Sequence, residues 1–115
     1  MTQQDEGISA RLNDLNANYR QQLPERITYI KLQFEAYCSP PHSPAALHNL
    51  HKILHKLAGS GAAFGHEKMG KIARHWEHLA YPLLNSTAPP SILQLQEMEE
   101  LMSQLSRAAA YPDES

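Results

Sequence analysis

From Leu12 to Tyr37 the apolar residues Leu12, Leu15, Tyr19, Leu23, Ile27, Ile30, Phe34 and Tyr37 recur at steps of three and four, which marks one face of a helix rather than the alternation of a strand. Pro24 interrupts this pattern, lacking an N–H and crowding the carbonyl four residues back. The segment therefore reads either as one kinked long helix, the favoured reading, or as a short N-terminal helix feeding a longer one near Leu23. CSPPHSP ends it, and Ser43-Pro44 offers an N-cap followed by proline at the first helical position. The second stripe is Leu47, Leu50, Leu54, Leu57, Gly61 and Phe64, with Gly65 placed where a helix stops in a left-handed residue. A third runs through Met69, Ile72, Ala73, Trp76, Leu79, Ala80 and Leu83 and ends near Asn85. Thr87-Ala88-Pro89-Pro90 is a turn, Ser91 a cap, and Leu95, Met98, Leu101, Met102 and Leu105 form a fourth stripe.

Four amphipathic helices with short Pro-, Ser- or Gly-containing connections predict an all-α, up-down antiparallel four-helix bundle. The 115 residues fit one domain, 1–115, with an ordered core of about 12–107 and fraying ends that include the tail AAAYPDES. Ten Lys+Arg against twelve Asp+Glu, without a basic run, remove the electrostatic footprint of a nucleic-acid binder. No apolar stretch approaches a membrane span, and MTQQDEGISARLND lacks the apolar run of a signal peptide. With the single Cys38 unable to form an internal disulfide, a cytoplasmic location is expected.

The segment HKLAGSGAAFG, residues 55–65, puts three glycines where the leucines keep helical time. Each glycine inside a helix costs about 1 kcal/mol relative to alanine, so two internal ones need a use. At about 100° per residue, Gly61 falls in the leucine stripe, where a missing side chain lets another helix come close. Gly59 lies roughly opposite, in the quadrant of His48, His51, His55 and Ala62. Because residues i and i+4 are surface neighbours, Gly59 and Ala62 leave His55 standing beside a flat patch. Neutral imidazole is a good nucleophile near neutral pH and can carry a phosphoryl group. Lys52 and Lys56 are within one turn to offset its charge.

His55-Lys56-Leu57-Ala58-Gly59-Ser60, followed by Phe64-Gly65 and by Glu67, Met69, Ile72 and Glu77, resembles the histidine-containing phosphotransfer (HPt) domain of bacterial and plant phosphorelays. Leu23-Pro24-Glu25-Arg26 resembles the turn of the preceding family helix, and the likeness spans roughly Tyr19 to Leu84. The resemblance implies a helical bundle with His55 as phosphoacceptor, exchanging phosphoryl groups with the aspartate of a response-regulator receiver domain or receiving them from a hybrid histidine kinase. It also implies a carrier with no cofactor of its own, Mg²⁺ being supplied in the receiver. His51, Lys52, Lys56, Gly59, Ala62 and Lys71 are then expected around the phosphoryl group and the docked partner. Many family members have lysine three residues after the histidine, where this chain has Ala58; either another cation such as Lys52, Lys56 or Lys71 supplies that charge, or transfer is slower.

Other readings remain open at this level. The same face could dock a receiver or regulatory partner without phosphorylation. His48, His51 and His55, spaced i, i+3 and i+7, could present three nitrogens to a metal, although no carboxylate or cysteine accompanies them at a matching spacing and Gly59 would have no role. Taken singly, His48, His51, His75 and His78 read as surface residues, Lys68, Lys71 and Arg74 as a solvated face, Trp76 and the methionines as core, and Cys38 as inert. No nucleotide-binding glycine loop, Ser/His/Asp arrangement or carboxylate pair beside His55 supports an autonomous enzyme.

Overall fold

The computed structural model describes residues 3–111, with side chains from Arg11 onward. Within them the chain forms α1 (Gln3–Cys38), α2 (Pro44–Ala63), α3 (Glu67–Ala80), a 3-10 turn (Tyr81–Asn85) and α4 (Ile92–Ala110), without strands. The helices pack in a ring, α1 on α2, α2 on α3, α3 on α4 and α4 on α1, and the α2–α3 contact is the most extensive.

The ends follow the local chemistry. The Ser43 hydroxyl accepts from the Ala46 N–H ahead of Pro44, and Ser91 and Gln94 close a reciprocal capping box at the start of α4. Gly65 has φ +81°, the left-handed conformation that ends α2 at little steric cost. α3 stops at Ala80, five residues short of the expected end. Pro82 cannot donate back to His78, and the chain tightens into the 3-10 turn instead.

α1 runs as one helix through Pro24, in line with the favoured reading of a single long helix rather than two divided near Leu23; Pro24 is exposed, so the carbonyl it leaves unpaired can be hydrated. Its apolar stripe needs one correction. Leu12 and Leu15 are not core, being 56% and 52% exposed. At about 1.5 Å per residue, the 36 residues of α1 outreach the 20 of α2. Burial of α1 begins at Tyr19, which stacks on Phe64 at 4.5 Å and shares a 2.9 Å hydrogen bond with Ser60. At the other terminus α4 continues through Ala110 with Ala108 buried, beyond the expected limit near 107. The rest of the predicted frayed tail, residues 112–115, lies outside the described residues.

Ile30, Leu50, Leu54, Leu57, Met69, Trp76, Met98 and Leu105 are fully buried in the centre. Phe34 meets Trp76 edge-on, with ring centres 5.2 Å apart, a favoured aromatic geometry. This packing fixes α2 and α3 side by side and positions the site.

Candidate functional site

The α2–α3 seam depends on two glycines. A Cβ added at Gly61 would stand 3.1 Å from the His66 carbonyl oxygen and 3.2 Å from the Gly70 Cα; one at Gly70 would stand 3.1 Å from the Ala58 carbonyl oxygen. The expected close approach at Gly61 is therefore present, and Gly70 supplies its other half. Ala58, 2% exposed, packs into this crossing. Position 58, for which the resemblance led to an expectation of lysine, is a small residue in the seam. A Cβ added at Gly59 would meet nothing within 4 Å, which agrees with the expected solvent-side placement of this glycine.

Two turns from the crossing, the seam brings His55 of α2 to Glu77 of α3. His55 Nδ1–H donates to Glu77 Oε1 at 2.6 Å, with the imidazole side chain 70% exposed and the carboxylate only 11% exposed. An ionised carboxylate only accepts, so the contact places the proton on Nδ1 and leaves the Nε2 lone pair free. A hydrogen bond to a charged partner contributes about 1.5–3 kcal/mol where buried, and less here because the ring is largely in water. Glu77 lies on a stripe of otherwise small residues, Gly70, Ala73, Glu77 and Ala80. That lone carboxylate among small inward residues is the signal by which the sequence could have shown His55's partner.

The other expected residues divide. Lys52, Lys56, Gly59 and Ala62 are exposed on α2, with Lys52, Gly59 and Ala62 at helical spacings of three, four and seven from His55. His51 is a correction: it is half-buried rather than a surface residue, with Nε2 3.9 Å from Glu77 Oε1 and its ring 5.8 Å from that of Tyr81. The cause is the glycine crossing, which draws α3 over this flank of α2. Lys71 is exposed but lines a groove of about 550 Å³ between α3 and α4, with Lys68, Ile72, Gln104, Arg107, Ala108 and Tyr111. No α2 residue borders that groove. Arg74 is exposed on α3, three residues before Glu77.

His48, His75 and His78 are exposed, as expected. Among the described residues no group of three or more His, Cys, Asp or Glu could hold a metal ion; His51 and His55 both approach Glu77, but His48 does not join them in such a group. The Cys38 thiol is half-buried, and burial, reinforced by Glu99 and Glu35, pushes its pKa up. That keeps it protonated and poorly nucleophilic. No helix among the described residues is long and apolar enough to cross a membrane.

A family model described as the Hpt domain matches residues 14–109. No curated protein and no solved structure matches the chain.

Proposed function

Because the chain belongs to the Hpt domain family, whose members act as phosphotransfer carriers in two-component signalling, we propose that it carries a phosphoryl group on His55 Nε2, to or from the aspartate of a receiver domain. The observation that carries this reading is the 2.6 Å hydrogen bond from an exposed imidazole to a buried carboxylate. In the forward step the Nε2 lone pair attacks the phosphorus of an aspartyl phosphate. The N–P bond forms, the bond from phosphorus to the aspartyl oxygen breaks, and the electron pair leaves with the aspartate. The Nδ1 proton stays on the ring, which becomes cationic, and Glu77 stabilises that charge. Reversal returns the phosphoryl group by the same path.

Gly59 and Ala62 keep the surface beside His55 low enough for a receiver to approach. Lys52 on α2 and Arg74 across the seam provide positive charge near the phosphoryl oxygens, a role the buried Ala58 cannot fill; Lys56 lies at the margin. Mg²⁺ and the acyl phosphate are the receiver's contribution.

Incubation with a phosphorylated receiver and Mg²⁺ tests the reading. Wild type is expected to gain acid-labile, base-stable phosphate, and His55→Gln to gain none. Absence of transfer from a panel of candidate receivers, with binding retained, would favour the docking-only role instead.

A further inference from the structure

Glu77 has a second imidazole beside it. His51 precedes His55 by one helical turn and faces the same carboxylate, its Nε2 3.9 Å from Glu77 Oε1. His51 Nε2 and Glu77 Oε2 are both buried and neither makes a hydrogen bond. Buried polar atoms are rarely left unpaired, because each has given up water without replacement. Here a potential donor and a potential acceptor have lost their partners within the same few ångströms. The 3.9 Å separation runs to Oε1, the oxygen that already accepts from His55, and exceeds a hydrogen bond by about 1 Å; Oε2 of the same carboxylate is the one left without a donor.

We infer that His51 is a positioning residue for phosphotransfer: its Nε2–H holds the Glu77 carboxylate in the seam, so that the carboxylate in turn holds His55 in the Nδ1–H tautomer. The inference rests on the proposed role of His55 only for its kinetic consequence. The ring contact with Tyr81 and the half-buried setting restrict His51, as a positioning group requires. The titratable side chains that stand against it are Glu77 on α3 and Tyr81 in the 3-10 turn, and His48 and His55 are its neighbours at helical spacing on α2. Glu77 is the carboxylate that His51 reaches.

The chemistry gives this arrangement a direction. With one anchor, a carboxylate can rotate or leave the seam, and His55 then samples the Nε2–H tautomer, in which the exposed nitrogen has no lone pair to offer. A second donor suppresses that loss. His51 thus acts on the reacting atom through Glu77 without touching phosphate.

Nitrogen NMR of the unphosphorylated protein, at a pH where His55 is neutral, reads the tautomer without any receiver. His51→Leu, which retains apolar bulk against Tyr81 but has no donor, is expected to lower the Nδ1–H share of His55 and slow phosphoryl uptake about five- to tenfold. His51→Gln, whose amide N–H can reach the carboxylate, should restore most of both. Circular dichroism confirms that each variant is folded; if His51→Leu is not, His51→Met replaces it. An unchanged His55 tautomer in the folded donor-free variant overturns the inference. A lowered Nδ1–H share in His51→Leu, together with a wild type that accepts no phosphate, overturns the proposed function and leaves the positioning role standing.

Discussion

Gly59 and Gly61 are two residues apart on one helix and meet opposite surroundings. A methyl group at Gly61 would press on the backbone of His66 and Gly70, whereas one at Gly59 would meet only open space. The first glycine brings α3 close enough for Glu77 to reach His55; the second keeps the ground beside His55 clear. The same residue type serves assembly in one place and access in the other, so the two should separate by phenotype.

The largest effect is expected at the crossing. Gly61→Leu forces a branched side chain against backbone that cannot rotate away, so the loss should reach or exceed the upper end of ordinary overpacking, about 3 kcal/mol. Thermal denaturation should show a sharply lowered or absent transition. Gly59→Leu is the converse: a melting temperature that is unchanged or slightly raised, with at least a hundredfold loss of transfer, measured as label uptake from a phosphorylated receiver. Normal transfer would sink the docking-clearance argument, and a collapsed fold would place Gly59 on the wrong face.

Glu77→Gln sharpens the comparison by leaving both glycines intact. The amide can donate to Nδ1 and favour the wrong tautomer, so uptake should fall about a hundredfold, the low end of what a positioned proton partner contributes. A rate within twofold of wild type would remove Glu77 from the mechanism. The smallest change is Gly59→Ala. It should raise stability by about 1 kcal/mol through helix propensity alone, measured by urea denaturation, with transfer nearly retained because a methyl is low.

The sequence made the helices legible because their apolar stripes, caps and stops agree with one another. It misjudged the reach of the core at Leu12 and Leu15, since periodicity identifies an apolar face and not whether another helix covers it. His55 stood out through Gly59 and the motif around them. Its partner did not, because Glu77 is 22 residues away and only the three-dimensional crossing at Gly61 and Gly70 joins them. His51 shows the same limit: a helical wheel places it with the polar quadrant, but α3 leans over that edge of α2. Lys71 shares its helix with Glu77, yet it borders the α4 groove, a difference set by rotation about the helix axis.

The central claim is that Glu77 holds Nδ1 and leaves Nε2 of His55 as the nucleophile. Nitrogen NMR of protein carrying ¹⁵N-labelled histidine, phosphorylated through a receiver and kept at alkaline pH where phosphohistidine survives, identifies the atom bonded to phosphorus. The predicted result is one modified ring, His55, with phosphorus on Nε2 and the proton retained on Nδ1. Phosphorus on Nδ1 of His55, or on the exposed His48, His75 or His78, would contradict the account.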